Sequence, residues 1–199
     1  MYGHARHLMS ETDARNGMRA FDRVALLVTP DLRATHLPFY LEGDRLIGHV
    51  ARANAQWESA PCAGLVVMAG AEAYVSPNWY PSKAAHGRAV PTWNYTTLQV
   101  RGTLTAFHDR ARLEEVVGRL SARFEGAQDK PWTIAEAPRD YIEKLLGAIV
   151  GVELAITSVE GKRKLSQDKT PGDVAGVIAG LEGVDDARDA AVAVAMREG

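Results

Sequence analysis

The stretch NYTTLQVRGTLTAF, residues 94–107, carries the pattern on which the fold prediction depends. Apolar Leu98 and Val100 alternate with polar Thr97 and Gln99, and the alternation continues to the end of the stretch. Successive side chains of an extended strand point to opposite faces of the sheet, so this period of two indicates a half-buried antiparallel strand.

Four other stretches share the composition of strands, with apolar or alternating residues bounded by Gly, Pro and Asp. A Gly43–Asp44 turn divides the second of them, and Gly70 makes the third either one bent strand or two strands. These stretches are VALLVTP (24–30), RATHLPFYLEGDRLIGHV (33–50), AGLVVMAGAEAYVSP (63–77) and VELAITSVEGKRKL (152–165).

Helical periodicity appears after the long strand and again at the end of the chain. We predict helices at about 109–125 and 138–150, where apolar residues recur every three or four positions. Residues 170–199 are predicted to form a C-terminal helical extension, with Thr170 as N-cap of its first helix. Residues 1–169 would form the main domain.

Because the strands cluster instead of alternating with helices, the pattern excludes a parallel α/β sheet. The fold class predicted is mainly β with flanking α: an antiparallel barrel with helices packed outside.

Composition limits the functional classes. The chain has 199 residues, a formal net charge of −2 and one cysteine, Cys62. Such a balance gives no overall attraction to nucleic acid or anionic membranes, and one cysteine cannot form an internal disulfide. We find no signal-peptide core and no run of membrane-spanning length, so we expect a cytoplasmic protein without membrane contact.

Several common site motifs are missing. The sequence has no Gly-rich dinucleotide loop, no Walker A loop, no nucleophile elbow and no HExxH zinc motif. His4 and His7 lie one helical turn apart, but on a polar N-terminal segment that we interpret as a flexible tail instead of a metal site.

GHVARAN, residues 48–54, gathers polar residues where a strand ends. Its histidine and arginine, with free backbone N–H groups at a following helix start, could hold a dianionic phosphate. The alternative is a solvated turn with an ordinary surface arginine. The candidate residues are His49, Val50, Ala51, Arg52 and Asn54.

Two aromatic stretches could contact a flat ligand. YVSPNWYPSK (74–83) is stiff, and its Ser76 and Lys83 could add phosphate or ribityl contacts; the alternative is a loop that plugs the barrel. VPTWNY (90–95) would place Trp93 and Tyr95 on one side of the strand and Asn94 on the other. There Trp93 could pack against a flat ligand while Thr92 hydrogen-bonds its polar edge. The alternative is that this end of the strand lies in a dimer interface.

EGKRKLSQDK, residues 160–169, is the only basic cluster. Such a cluster is either a solvated face or a contact for phosphate or nucleic acid. Lys164 and Gln167 could reach a ligand, and the nucleic-acid candidates are Lys162, Arg163 and Lys169. Together GHVARAN, YVSPNWYPSK, VPTWNY and EGKRKLSQDK indicate a site for a flat aromatic ligand that carries a phosphate. Flavin mononucleotide (FMN) fits that description.

The same stretches resemble the PaiB family of FMN-binding transcriptional regulators. HLPFYLE, GHVARAN, YVSPNWYPSK, VPTWNY, DYIEKLLGAIVG and KLSQD occur in the family's order, and the resemblance covers nearly the whole chain. It implies a six-stranded, Greek-key-like split β-barrel similar to pyridoxamine-phosphate oxidases, and a homodimer with FMN at the subunit interface. It also implies that GHVARAN binds the phosphate, VPTWNY forms part of the flavin wall and KLSQ closes the site.

The function that this resemblance implies is negative transcriptional regulation, with DNA as a partner. The one helix–turn–helix-like spacing, 171–196, is acidic, so we expect any DNA contact at the 162–169 cluster of both subunits or through a partner protein. The rival is a flavin oxidoreductase or haem-handling enzyme, for which His36 is the best acid–base candidate; we favour the alternative that His36 bonds backbone or FMN. A third possibility is a barrel that has lost its flavin and serves as an interaction module.

Overall fold

The structure is a computed structural model that describes residues 1–198. Its strands, β1–β7 in chain order, are Ala25–Val28, Ala34–Leu37, Tyr40–Glu42, Arg45–Ala51, Cys62–Val75, Thr92–Phe107 and Ile149–Lys164. Its α-helices, α1–α6, are Glu11–Ala20, Ser82–His86, Arg110–Glu125, Arg139–Gly147, Pro171–Glu182 and Ala187–Glu198. Short 3-10 helices are Ala5–His7, Ala55–Ser59, Pro77–Trp79 and Ile134–Glu136.

The strands form one sheet in the order β2-β1-β5-β6-β7-β4-β3. The pairs β1–β2, β1–β5, β3–β4 and β4–β7 are antiparallel, as the alternation predicts. The sheet has seven strands and not six, because the segment before Gly43 divides into β2 and the three-residue β3. β5 is one strand through Gly70, where a side chain would meet Thr96 at 3.1 Å.

The chain packs as two compact units. The central unit comprises Met18–Met68 and Gln99–Val159; the terminal unit comprises Met1–Gly17, Ala69–Leu98 and the chain from Glu160 onward. The three long strands β5, β6 and β7 contribute residues to both. The predicted division into 1–169 and 170–199 stays a prediction.

In the central unit, α3 packs on β4 and on α4. The Asp109 side chain accepts the Arg112 N–H at 2.8 Å and so caps the start of α3. Of the recurring apolar residues of this helix, Leu113, Val116 and Leu120 are buried, Val117 is half-buried and Phe124 is exposed. The three buried residues join Tyr40 and Ile47 of the sheet on one side and Ile142 and Leu146 of α4 on the other.

Helix α4 ends three residues earlier than the predicted position 150. Gly147 is its last residue, and Ile149 already belongs to β7, where it pairs with Ala51. The apolar stripe of the helix continues directly into an apolar strand, so periodicity alone could not locate the boundary.

In the terminal unit, α5 and α6 pack against each other over a core that contains Val75, Leu165, Val177 and Val192. The Thr170 hydroxyl accepts the Asp173 N–H at 3.2 Å and caps α5, as predicted.

The prediction of a flexible N-terminal tail is wrong. Leu8 forms a β-bridge with Lys162, the Met9 N–H donates to the Gly161 carbonyl at 2.9 Å, and α1 follows with Ala14 fully buried. The polar composition of the segment concealed a few apolar residues that anchor it.

Candidate functional site

Arg52, the centre of the predicted phosphate corner, is held at the end of β4 by the carboxyl end of α4. Its backbone N–H donates to the Ala148 carbonyl at 2.8 Å. Its guanidinium donates from Nε to the Gly147 carbonyl at 2.8 Å and from Nη2 to the Ile149 carbonyl at 3.0 Å. The last carbonyls of a helix favour a cation, so these bonds fix the side chain in one place.

The charge of Arg52 is not neutralised by a carboxylate among residues 1–198, and the residue is exposed. Nη1 lies 3.5 Å from His108 Nδ1, and the Trp57 indole donates to the Arg52 carbonyl at 3.0 Å. The Trp57 and His108 rings meet edge to face at 5.2 Å, and both line a cavity of about 300 Å³. The result is a preorganised cation beside an aromatic wall.

The other residues of GHVARAN differ in what they offer a ligand. Val50 is in the core and pairs with Val150 of β7, so only its backbone is available, whereas Ala51 is exposed. His49 is half-buried, its Nδ1 is buried without a hydrogen-bond partner, and burial lowers the pKa of its imidazole. The His49 imidazole is therefore neutral at neutral pH.

Asn54 uses its side chain for local structure. Its Oδ1 accepts the Gln56 N–H at 3.0 Å and caps the 3-10 helix Ala55–Ser59, and its Nδ2 donates to Thr35 Oγ1 at 2.8 Å. The second bond ties the end of β4 to β2, where His36 is exposed. His36, Asn54 and Arg52 thus belong to neighbouring parts of the central unit.

In the terminal unit, Lys164 joins the VPTWNY stretch directly. Its Nζ donates to Thr92 Oγ1 and to the Trp93 carbonyl, each at 2.5 Å. Burial is the main cause that lowers the pKa of the Lys164 ammonium group. Thr92 and Lys164, far apart in sequence, are therefore brought together.

Trp93 and Asn94 point to opposite sides of β6, as the alternation predicts. Trp93 is 53% exposed and meets Tyr74 edge to face at 6.1 Å, whereas Asn94 is fully buried. The Asn94 amide donates to Ser166 Oγ at 3.0 Å. Thr92, Asn94 and Lys164 line a cavity of about 370 Å³ in this unit, together with Lys169.

Ser76, Lys83 and Gln167 do not line that cavity and are bonded locally instead. Ser76 Oγ accepts the Asn78 N–H at 3.2 Å, and Lys83 Nζ donates to Asn78 Oδ1 at 2.5 Å. Gln167 Oε1 accepts the Leu165 N–H at 2.8 Å. Their assignment as cofactor contacts stays a prediction.

The basic cluster is partly occupied by contacts within the chain. Lys162 Nζ lies 5.3 Å from the centre of the Tyr95 ring, and Lys169 pairs with Asp168 at 3.0 Å. Arg163 is half-buried and lines a smaller cavity together with Gln167. The three nucleic-acid candidates therefore share one unit, with unequal exposure.

Sequence reasoning missed four residues of this structure. His108 lies against Arg52, and His7, Tyr80 and Ser166 line the cavity of the terminal unit. Ser166 has a positive φ of 66°, a left-handed conformation that is uncommon for serine. Its place in KLSQD was the only signal available, since nothing in the sequence shows which hydroxyls and imidazoles become buried.

Comparison with known proteins identifies the family. A family model described as "Putative FMN-binding domain" matches residues 1–158. "Protease synthase and sporulation protein PAI 2" of Bacillus subtilis is 31% identical over 155 residues, covering 75% of this chain and 72% of that protein. An uncharacterized protein of Aspergillus fumigatus, AFUA_5G13800, is 32% identical over 201 residues, covering 77% of each chain.

Solved structures agree in fold. The flavocytochrome Anf3 from Azotobacter vinelandii has a TM-score of 0.63 at 13% identity, covering 88% of this chain and 78% of that chain. The FAD and heme binding protein from Mycobacterium smegmatis has a TM-score of 0.54 at 18% identity, covering 81% of this chain and 76% of that chain. The predicted fold class, mainly β with flanking α as in flavin-binding split barrels, is confirmed.

Within residues 1–198 no helix is both long and apolar enough to cross a bilayer. The same residues contain no group of three His, Cys, Asp or Glu side chains arranged to hold a metal ion. The family match over residues 1–158 and the bacterial relative confirm both the resemblance and its cofactor. The chain belongs to the PaiB-like family of FMN-binding domains.

Proposed function

We propose that this protein binds FMN with the phosphate at Arg52 and acts as a PaiB-like negative transcriptional regulator. The observation that carries the phosphate assignment is the Arg52 guanidinium, which is held by two backbone carbonyls and has no carboxylate partner among residues 1–198. A fixed cation of this kind binds a dianion without paying to order its own side chain.

The residues around Arg52 fit a phosphate chemically. Nη1 faces His108, whose imidazole could share the phosphate as a hydrogen-bond donor. Ala51, next to Arg52, is exposed and small, so the backbone is open to a ligand. FMN, when bound, supplies a ring that takes up and releases electrons; the protein residues at this corner only bind and orient its tail.

The test is Arg52→Gln, which removes the charge but keeps a side-chain amide that can donate to a backbone carbonyl. We expect the FMN affinity, measured by quenching of flavin fluorescence, to fall by about 10- to 100-fold, the usual worth of a charge-assisted hydrogen bond. Arg23→Gln is the matched control. Arg23 is an exposed arginine whose ion pair is a loose one, with its Nε 4.0 Å from Asp22 Oδ1, so its replacement should leave FMN binding unchanged. Equal FMN affinity in Arg52→Gln and wild type would refute the phosphate assignment.

The regulatory half of the proposal assigns DNA contact to Lys162, Arg163 and Lys169. It is supported by their common place in the terminal unit and by the relation to the PAI 2 protein. In a gel-shift assay with the gene's own upstream region, we expect a triple Lys/Arg→Gln variant of these residues to bind at least about tenfold more weakly and with a shallower salt dependence.

The control for that assay is a triple variant of three exposed cations in the central unit, Arg23, Lys130 and Lys144. Binding that is lost equally in both triple variants would indicate a general charge effect. Binding that survives in the first variant would reject this DNA surface.

A flavin-dependent oxidoreductase is the second candidate function. It is favoured by the fold shared with a flavocytochrome and with an FAD and heme binding protein. Oxidation of NADH or NADPH by the FMN-loaded protein, or a haem absorption band on titration with haemin, would support the enzyme. If both signals are absent and the protein binds DNA sequence-specifically, the regulator is supported.

The proposed assembly is a homodimer with the flavin at the subunit interface. Trp93 and Tyr74 form an exposed aromatic pair in the terminal unit, 53% and 45% exposed. Large aromatic residues of this kind are typical of the centre of a protein interface. We therefore place this pair in the dimer contact.

A further inference from the structure

In the central unit, strand β1 carries apolar side chains on both of its sides. Ala25 and Leu27 point to one side and are 2% and 1% exposed. Leu26 and Val28 point to the other side and are only half-buried. Val24, which precedes β1 and follows the same alternation, is 56% exposed. Because successive side chains of a strand point to opposite sides, the less buried residues form one row.

The neighbouring strand β5 extends this row. Leu26 pairs with Val67 and Val28 pairs with Leu65 in the antiparallel register, so these four side chains share one side of the sheet. Leu65 and Val67 are half-buried, whereas Val66 between them is fully buried. We call Leu26, Val28, Leu65 and Val67 the β1–β5 face.

The opposite side of the same strands belongs to the core. A Cβ at Gly64 would lie 2.6 Å from Leu154 and 3.3 Å from Leu104, with Leu27 at 3.8 Å. Residues of β1, β5, β6 and β7 therefore meet on that side. The β1–β5 face lies on the outside of the curled sheet.

At β4 the outside of the sheet is covered by a helix. Leu46 pairs with Leu154 of the core, so Ile47 next to it faces outward. Ile47 is nevertheless only 1% exposed, because α3 packs on it through Val116 and Leu120. The β1–β5 face has side chains of the same kind but remains half-buried. An apolar face of this kind gains free energy when another surface removes it from water.

The β1–β5 face is uncharged, and this property favours a second copy of the chain as its cover. In a twofold dimer the same patch of both copies meets, so charges clustered in the patch would face charges of their own sign. A neutral apolar patch is compatible with its own copy and offers no ionic contact to nucleic acid or to a charged peptide. Its flanks are polar: His36 of β2 pairs with Leu26, and on β6 the Arg101 guanidinium donates to Gln99. An apolar centre with a polar rim is the usual anatomy of a protein interface.

The dimensions of the sheet also fit the centre of an interface. β2, β1, β5 and β6 are neighbours in the sheet. Four strands about 4.8 Å apart, with about four residues of about 3.3 Å rise in each, form a plane of about 250 Å². A standard interface takes about 800 Å² from each partner, so residues around this plane would supply the remaining area.

We propose that the β1–β5 face is the contact of the central unit with a second copy of this chain. The inference rests on the homodimer proposed above and adds the surface that holds it in this unit. The face of one copy meets the same face of the other across a twofold axis, and Leu26, Val28, Leu65 and Val67 become buried there.

The first test is the double variant Val28→Thr with Val67→Thr in full-length, FMN-loaded protein. Threonine has nearly the shape of valine and suits a strand equally well, but its hydroxyl would be buried without a partner in the dimer. We expect the dissociation constant of the dimer, measured by sedimentation equilibrium, to rise by at least about 30-fold. The matched control makes the same two changes at Val184 and Val194, exposed valines of the terminal unit, and should dimerise as wild type.

The second test uses charge and does not depend on the threonine variants. Val67→Lys and Val67→Glu should each be folded and monomeric, because each places like charges against each other in the twofold dimer. An equimolar mixture of the two should form a 1:1 heterodimer, which also shows that both variants are folded.

The outcomes separate this face from the homodimer itself. A dimeric wild type whose Val28→Thr/Val67→Thr and Val67→Lys variants dimerise equally well would reject the face and leave the homodimer standing; the face would then have another occupant. Equal weakening in the Val184/Val194 control would also overturn the assignment, as would folded Val67→Lys and Val67→Glu proteins that stay monomeric when mixed. A wild type that is monomeric at all concentrations would reject the homodimer and this face together.

Discussion

At the scale of single residues, burial decides the chemistry of identical side chains. His36 and His49 are both histidines of the predicted site, but His36 is exposed and His49 is half-buried with an unpaired Nδ1. Burial favours the neutral imidazole and lowers the pKa of His49 below its ordinary value of 6.5. The sequence predicted both histidines as site residues but could not show which of them is buried.

This difference predicts a pH dependence of stability. The unfolded chain binds a proton at His49 more readily than the folded chain, so the free energy of unfolding should fall as pH drops below the ordinary value of 6.5. His49→Gln should reduce that loss between about pH 8 and about pH 5.5 in urea denaturation. Part of the loss should remain, because burial also lowers the pKa of His7.

His36→Gln is the control, since the His36 side chain is exposed. Its stability should follow the wild-type pH profile. An unchanged profile in His49→Gln would contradict the assignment of a buried neutral imidazole.

At the scale of elements, caps and periodicity in the sequence identified most of the α-helices. They gave no information about which elements pack closely against each other. Asp109 caps α3, and Thr170 caps α5 as predicted. The sequence did not show that α5 lies directly on the 3-10 helix Pro77–Trp79. A Cβ at Gly176 would lie 2.1 Å from the Trp79 carbonyl oxygen, a contact that only glycine permits.

Two glycine substitutions should therefore have opposite signs. Gly176→Ala should lower the free energy of unfolding by about 1–3 kcal/mol, because the added methyl group clashes with backbone. Gly118→Ala, in the middle of α3 with nothing within 4 Å of its added methyl group, should raise it by about 0.5–1 kcal/mol through helix propensity. Urea denaturation measures both, and a stabilised Gly176→Ala protein would show that α5 does not pack on this turn.

At the scale of the whole molecule, the exposed aromatic residue Trp93 leads to a prediction about assembly. The proposed homodimer places Trp93, which the strand period puts opposite the buried Asn94, at the interface. A tryptophan anchor at an interface contributes about 2 kcal/mol or more. The proposed homodimer would explain why so large an apolar side chain as Trp93 is exposed.

Sedimentation of the FMN-loaded protein should give twice the chain mass. Trp93→Ser should raise the dissociation constant of the dimer by at least about 30-fold. Tyr141→Ser is the matched control: Tyr141 is also 53% exposed but lies on α4 of the central unit, and its replacement should leave the dimer intact. A monomeric wild-type protein at all concentrations would reject the homodimer.

The sequence alone determined the elements that depend on local rules. Alternation along residues 94–107 specified a half-buried strand, caps and apolar stripes located α3 and α5, and uncommon strings such as GHVARAN identified the FMN-binding family. Each of these signals is contained within a few neighbouring residues, so it can be interpreted without knowing the partners.

Only the tertiary structure decided what surrounds the candidate residues. Arg52 is held by the carbonyl of Gly147, 95 positions away, and Lys164 bonds Thr92 across 72 positions. Whether Tyr80 and His7 have partners likewise depends on how distant segments pack. Burial, pKa and unpaired donors arise from such long-range contacts, and for that reason no local pattern could have predicted them.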